Sequence, residues 1–202
     1  MKTLEVIGYK RANLGKQDSK KLREEGLVPG VLYGGESQVH FYSPMILFRE
    51  LVYTPDVYIV NLNIEGDEYR CILQEVQFHP VSDIILHVDF LMLFDDKPVK
   101  MDIPVEFHGT APGVVKGGRL FAKLRTITVK ALPKDLPDKI DVSISKLDLG
   151  KSVKVRDLEP GNYQIMNSPQ VSIATIETPR VLRGAGLGAG EEEEEGEAEA
   201  TE

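Results

Sequence analysis

Alternating hydrophobic and polar positions dominate the first half of the chain and predict β-strands. Leu4 and Val6 alternate with polar neighbours, which predicts a strand over residues 3–9. Short apolar runs bounded by turn-forming residues predict five further strands: Val31–Tyr33, Val39–Tyr42, Val57–Ile64, Tyr69–Phe78 and Ile84–Phe94. We place the tight turn between the third and fourth of these runs at the pair Gly66-Asp67.

Two short helices interrupt this pattern. The first is predicted to begin at Asp18 or Ser19, either of which can cap a helix, and to end at Glu25. The second is predicted to begin at Ser43-Pro44, a cap followed by proline, and to continue to Tyr53. Because strands outnumber helices and the helices are short, this half is predicted to be a small, mostly antiparallel β-barrel or sandwich.

The pattern pauses around residues 95–98, where we place a domain boundary, giving domains over residues 1–95 and 96–183. Proline and glycine punctuate the second half at regular intervals, which is typical of an all-β domain. Its predicted strands are Lys100–Phe107, Arg119–Ala131, Ile140–Ile144 and Val171–Ile176. The predicted fold class is therefore mainly β, with an N-terminal barrel and a second β domain.

Residues 184–202 form a Gly-rich linker and an acidic tail that we predict to be flexible and disordered, because they cannot bury enough apolar area to fold. The formal net charge of −8 comes from this tail, since residues 191–202 contain eight Glu and no basic residue. The tail is interpreted as a solubilising segment. A second hypothesis is that it competes with nucleic acid for basic side chains elsewhere.

Positive charge is concentrated in one place, the segment Lys10–Arg23, which we call the basic segment. It contains six basic residues and one acid, Asp18. Surface lysines and arginines are often only solvated, so composition alone leaves that interpretation open. Gly15, which lets a backbone approach phosphates, and Ser19 at a helix start favour a polyanion-binding element.

A nucleotide phosphate loop is excluded for the same segment. Six residues separate Gly8 from Gly15, where the phosphate loop has four. Gln17 follows Lys16, where a Ser or Thr is needed to bind magnesium.

A polar face is predicted on the strand near residues 84–92. Period two places Ile84, Leu86, Val88 and Phe90 on one side and His87 with Asp89 on the other. The neighbouring strand can bring residues close to this pair: Gln74, Gln77 or His79. Three interpretations stay open: a sparse metal site using Glu75, His79, His87 and Asp89, a structural polar sheet face, and a nucleic-acid contact face.

The chain contains one cysteine, Cys71, so an internal disulfide is impossible and a reducing compartment is expected. The N-terminus lacks the apolar core of a signal peptide, and no apolar run reaches the length of a membrane span. We therefore expect a soluble, cytoplasmic protein.

Two stretches then identify a family resemblance. They closely resemble the two signatures of one bacterial ribosomal protein family. The first stretch is residues 9–35, with Arg11, Gly15-Lys16 and Ser19–Gly35. The second is residues 72–91, with Leu73–Asp83 and Leu86–Phe90. The family is that of large-subunit proteins that bind 5S rRNA, ribosomal protein L twenty-five, which includes the Ctc general stress proteins. Met101–Leu120 is similar to the start of the second domain found in long members of the family.

The resemblance implies a β-barrel that binds the loop E region of 5S rRNA in its minor groove, as a structural constituent of the large ribosomal subunit. The implied RNA-binding residues are Arg11, Gly15, Lys16, Ser19, Lys20, Arg23, Tyr33, Gln74, Gln77, His87 and Asp89. It implies no enzymatic activity, no cofactor, no metal, no membrane and no small-molecule substrate. The implied partners are 5S rRNA, the large ribosomal subunit and, through the second domain, neighbouring ribosomal proteins.

Two other functions are carried as alternatives. The first is a stress-induced accessory or assembly factor that joins the ribosome transiently. The second is a metal-dependent enzyme using His79, His87 and Asp89.

Overall fold

A computed structural model describes residues 2–158 and 161–178 of the chain. The predictions for the linker and acidic tail, residues 184–202, fall outside these described residues. Within them the chain is built mainly of strands with a few short helices, so the predicted fold class is confirmed. No helix of the described ranges is long and apolar enough to cross a lipid bilayer.

Six strands of the first half close into a barrel in the order β1-β3-β2-β6-β5-β4, with β4 pairing back to β1. The β1–β4 and β2–β6 pairs are parallel, and the other four pairs are antiparallel. The strands are β1 Lys2–Lys10, β2 Leu27–Tyr33, β3 Val39–Pro44, β4 Tyr58–Ile64, β5 Asp67–Phe78 and β6 Ile85–Met92. The predicted barrel is therefore confirmed.

The barrel interior is a core of aliphatic and aromatic side chains contributed by alternate strand positions. Phe90 lies at its centre, with ring centroids 5.9 Å from Phe41 and 6.1 Å from Phe48. Gly30 allows this packing, because a Cβ at that position would lie 2.7 Å from the ring of Phe41 and 2.8 Å from Val88. The aromatic ring thus occupies the space that a side chain on β2 would need.

Two local predictions in the barrel are wrong. Ile64 pairs with Asp67, so the turn residues are Glu65 and Gly66, with φ of 54° and 101°, rather than Gly66-Asp67. A two-residue hairpin turn whose twist matches that of its flanking strands commonly requires positive φ at both turn positions. Ser43 does not start a helix, because it is buried in β3 and its hydroxyl donates to the carbonyl of Ile7 at 2.7 Å.

The helices of the first half are short, as predicted. Helix α1 spans Lys16–Glu24 and begins one turn earlier than expected, with Gly15 as its N-cap. A 3₁₀ turn, Met45–Phe48, then precedes helix α2, Arg49–Tyr53.

The second half forms two further sheets, ordered β10-β7-β9-β12 and β11-β13-β8. Their strands are β7 Val99–His108, β8 Arg119–Ala122, β9 Thr126–Ala131, β10 Ile140–Ser143, β11 Ser152–Lys154, β12 Gln164–Ile165 and β13 Ser172–Glu177. Helix α3, Pro112–Val115, lies before β8. The prediction of one strand over Arg119–Ala131 is wrong, because the chain passes from one sheet to the other between β8 and β9. At that point the backbone N–H groups of Lys123 and Leu124 both donate to the carbonyl of Ile173.

The outer wall of the barrel shares a hydrophobic core with the second half. Ile59 and Ile72 face outward from β4 and β5 and belong to the same buried cluster as Val99, Ile103 and Ile127. The second half therefore covers one side of the barrel. The boundary at residue 95 stays a prediction.

Cys71 is buried inside the barrel, and burial raises the pKa of its thiol from 9.0 to about 12. The thiolate is the reactive form, so we expect alkylation by iodoacetamide at pH 8 to be on the order of a thousandfold or more slower in the folded protein than in urea. Because the unfolded thiol ionises near pH 9, its titration lowers folding stability as the pH rises from 9 towards 12. Equal alkylation rates in buffer and urea would contradict this.

Candidate nucleic-acid interface

The basic segment folds as the end of β1, a loop over residues 11–15, and helix α1. Lys16 and Lys20 are exposed and lie four residues apart, so they share one side of the helix. The Nζ of Lys20 also lies 3.8 Å from the Oε1 of Glu24. This ion pair is exposed and contributes little to the free energy of folding. The side of α1 that carries Ser19 and Leu22 is half-buried. This arrangement presents two flexible cations to an approaching polyanion.

Arg11 and Ser19 hold the loop in shape. The Nη2 of Arg11 donates to the Oγ of Ser19 at 3.0 Å, and that hydroxyl donates to the carbonyl of Gly15 at 3.1 Å. The backbone N–H of Arg11 also donates to the carbonyl of His40 on β3 at 3.0 Å. These bonds join the loop to both α1 and the barrel.

The N-terminus of α1 is open to an anion. Gly15 is its exposed N-cap, and no side chain caps the first turn by a hydrogen bond. The backbone N–H groups of the first turn therefore lack a side-chain acceptor, and the helix dipole places partial positive charge there. Asp18 in the same turn partly offsets that charge.

Arg23 connects the end of α1 to the barrel wall. Its Nε donates to the carbonyl of Leu86 at 3.0 Å, and the side chain is half-buried. Leu86 is the extra residue of a β-bulge, since Gln77 pairs with His87 and Phe78 with Ile85. The basic helix is therefore fixed next to His87.

We expect Arg23→Ala to lower the free energy of unfolding by about 1 kcal/mol, the usual value of a hydrogen bond that is partly exposed. Urea denaturation measures it. Lys21→Ala, which removes an exposed cation from the same helix, is the matched control and should change stability by less than about 0.5 kcal/mol. Equal effects of the two variants would show that the Arg23–Leu86 bond contributes nothing.

The second part of the interface is the outside of the barrel where β2, β6 and β5 run side by side. Asp89 pairs with Glu75 on β5 and with Val31 on β2, and His87 pairs with Gln77. We call the group Tyr33, Glu75, Gln77, His87 and Asp89 the outer polar face. The Nδ1 of His87 lies 2.6 Å from the Oδ1 of Asp89, and about a quarter of each side chain is exposed (26% and 26%).

The prediction that His87 and Asp89 share one side of the strand is thus confirmed. The prediction that Ile84 lies on the same side as Val88 and Phe90 is wrong, because Ile84 is 45% exposed and Ile85 is buried with them instead. The bulge at Leu86 reverses the alternation at that point.

Tyr33 and Glu75 complete this face. Tyr33 is half-buried, and its pKa is raised by burial first and then by the nearby carboxylates of Asp89 and Glu75. Glu75 is absent from the implied RNA-binding residues, although a period of two along β5 places it on the same side as Gln77. The face therefore presents two carboxylates, an amide, an imidazole and a phenol.

Gln74 lies apart from this group. It is the extra residue of a second bulge, between the Leu73–Phe90 and Glu75–Asp89 pairs. It lines a groove of about 500 Å³ between the barrel and the outer side of β7 and β9, together with residues such as Tyr58, Lys100 and Thr128. The structure therefore brings Gln77, but not Gln74, beside His87.

The predicted metal alternative does not assemble. His79 closes a turn instead, its Nδ1 accepting the backbone N–H of Ser82 at 3.2 Å. Among the residues that the structure describes, one cluster brings three possible metal ligands within 4.8 Å of one another. It consists of Glu106, His108 and Asp141, in the second half. All three side chains are exposed and already have partners, since His108 pairs with Asp141 and Glu106 pairs with Lys139.

Comparison with known proteins agrees with the resemblance noted in the sequence. The model of the Ribosomal L25p family matches residues 7–90, and that of the ribosomal protein TL5 C-terminal domain matches residues 98–180.

Full-length relatives are also similar. The large ribosomal subunit protein bL25 of Cytophaga hutchinsonii is 57% identical over 91% of this chain and 95% of its own length. The protein of the same name from Amoebophilus asiaticus is 56% identical over 91% and 93%, and that from Porphyromonas gingivalis 41% identical over 93% and 98%. This likeness confirms the expectation that the chain is not an enzyme. The chain belongs to the bL25 family of large ribosomal subunit proteins.

Proposed function

We propose that this protein binds 5S rRNA at its loop E region, as a component of the large ribosomal subunit. In this proposal Lys16, Lys20 and the N-terminus of α1 contact phosphates, and the outer polar face contacts the minor groove. Minor grooves of RNA are wide and shallow and expose 2′-hydroxyls and base edges, which suits amide, imidazole and carboxylate side chains.

The observation that supports this most is the position of α1 beside the outer polar face. The Arg23–Leu86 hydrogen bond fixes the basic helix next to His87, whose ring is oriented by Asp89. One RNA helix can then meet cations on one side and hydrogen-bonding groups on the other. Phosphate contacts supply affinity, and contacts in the groove supply selectivity.

The experiment is a titration of the full chain against intact 5S rRNA and against 5S rRNA in which loop E is converted to a regular duplex. We expect tight binding to the intact RNA and weak, salt-sensitive binding to the altered RNA. Equal binding to both would show non-specific attraction to the basic segment and would contradict the proposal.

The Lys16→Ala variant tests the phosphate contact. We expect weaker binding and a log–log salt slope lowered by about 1, as the loss of one phosphate contact predicts. Lys146→Ala, which removes an exposed cation from the second half, is the control and should leave the slope unchanged. An unchanged slope for Lys16→Ala would mean that this side chain does not contact a phosphate.

Contacts of the second domain with neighbouring ribosomal proteins, and a transient, stress-induced association, stay predictions. A high-salt wash of ribosomes separates permanent from transient binding.

A further inference from the structure

A second row of cations lies on the surface of the second half. Between Glu106 and Asp135 the chain contains six basic residues and no acidic one. Leu120 and Leu124 in this stretch are half-buried and pack against the hydrophobic clusters. The residues that alternate with them are exposed, and we call four of these the β8 row: Arg119, Phe121, Lys123 and Arg125. The row therefore faces solvent along β8 and the crossing to β9.

The three cations of the β8 row have no acidic partner. None of their side chains forms an ion pair with another residue that the structure describes. Glu177 is directly opposite Arg119 on β13, but the two side chains do not pair. By contrast, Lys116, Lys139 and Arg156 in the same half each lie 2.8–3.5 Å from a carboxylate oxygen. Neighbouring cations that are not neutralised by carboxylates favour an anionic ligand.

Phe121 places an aromatic ring among these cations. Its side chain is 49% exposed, so much of the ring is open to solvent. Across the sheet it is directly opposite Thr175 on β13, and Thr175 is opposite Ser152 on β11. The hydroxyl of Thr175 is buried and has no hydrogen-bond partner among the described residues, which is uncommon in folded proteins. A ligand at Phe121 that carries polar groups would bring a partner to this hydroxyl.

Single-stranded nucleic acid is the ligand class that fits an aromatic ring between cations. Each of its units carries a phosphate, which Lys and Arg attract, and a base, which stacks on an aromatic side chain. Bases within a duplex already stack on one another and leave no face for the ring. Because the chain belongs to a family of large ribosomal subunit proteins, RNA is the nucleic acid that it meets.

We propose that the β8 row binds an unpaired strand of RNA, with a base stacked on Phe121 and phosphates held by the three cations. This surface is separate from α1 and the outer polar face, and the proposal does not depend on binding of loop E. Stacking accepts any base and the cations follow the backbone, so we expect little selectivity for sequence.

The test uses the full chain and a fluorescein-labelled RNA of about twelve nucleotides composed of adenine and cytosine, which form no Watson–Crick pairs with each other. The parent variant carries Lys16→Ala and Lys20→Ala, so that the basic segment contributes less to binding. Fluorescence anisotropy gives the Kd. We expect Phe121→Ala to raise it at least about fivefold, the lower limit for a stacked base. Phe78→Ala removes the same ring from a position that is 43% exposed at the end of β5, and this matched control should leave the Kd unchanged.

Two further variants separate stacking, charge and folding. Phe121→Leu keeps an apolar side chain on the sheet but removes the ring, so it should lose about as much affinity as Phe121→Ala while its melting temperature stays unchanged. Lys123→Ala should lower the log–log salt slope by about 0.7, the value for one phosphate of a single strand. Lys146→Ala removes an exposed cation outside the row and should not change the slope.

Three results would overturn the inference. The first is an equal Kd for the parent variant and for Phe121→Leu. The second is a Phe121→Leu penalty of the same size when the RNA is annealed to its complement, because bases in a duplex cannot stack on the ring. The third is a Phe121→Leu chain that keeps its affinity for RNA but is washed off ribosomes, which would assign the row to a neighbouring protein. Failure of the proposed function would leave this test intact, since loop E is absent from it.

Discussion

Asp89→Ala should weaken binding to 5S rRNA by roughly 1–3 kcal/mol, about 5- to 150-fold in Kd. Asp89 is half-buried on the outer polar face, opposite Glu75, and it accepts the Nδ1–H of His87. Its removal takes away an acceptor for the RNA and also the bond that orients the imidazole. Both losses would act at the centre of the proposed interface, and a missing hydrogen bond costs most where binding excludes water.

Fluorescence anisotropy with labelled 5S rRNA at two salt concentrations measures this effect. The salt slope should stay the same, because in the proposed function Asp89 contacts the groove and not a phosphate. Asp96→Ala, an exposed carboxylate beyond the end of β6, is the control and should leave the Kd unchanged. A fall in the melting temperature of the free protein large enough to account for the binding loss would instead make Asp89 a structural residue.

Ile72→Ala should lower the free energy of unfolding by about 2–5 kcal/mol, the usual cost of such a truncation in a core. Ile72 is fully buried although it points out of the barrel, because Ile103 and Ile127 of the second half cover it. The cavity would therefore open between the two halves. We expect both to lose stability together.

Urea unfolding gives the size of the effect, and hydrogen exchange gives its location. Exchange should accelerate in β4 and β5 of the barrel and also in β7 and β9. Ile46→Ala makes the same change at a side chain that is 68% exposed and should cost less than about 0.5 kcal/mol. Unaltered exchange in β7 and β9 would show that the two halves are stable independently.

Strand periodicity predicted the barrel well, because alternate residues must face a closed core. The strands around Leu4 and Leu62 follow a period of two without interruption, and alternate residues of both belong to the barrel core. Prediction failed where an extra residue enters a strand. Bulges at Gln74 and Leu86 change which side chains face outward, and no residue type marks a bulge in advance.

The candidate site was predictable in its residue types more than in their arrangement. His87 and Asp89 were placed together correctly, since two residues on one strand share a side. Glu75 was grouped with Asp89 only in the metal alternative, and its place directly opposite Asp89 depends on a strand register that tertiary pairing sets. The hydrogen bonds from Arg11 to His40 and from Arg23 to Leu86 were equally unpredictable, since both join segments that are distant in sequence.

The parallel pairing of β2 with β6 has a consequence for the order of folding during synthesis. β2 ends at Tyr33, and its neighbour in the barrel is not complete until Met92. Closing such long-range pairs is slow, and the nascent chain emerges from its N-terminus. The basic segment is therefore made well before the wall that holds it, and Arg23 cannot bond to Leu86 until β6 has appeared. A nascent chain that stops before β6 has the cations but lacks the sheet face that we propose supplies selectivity for RNA.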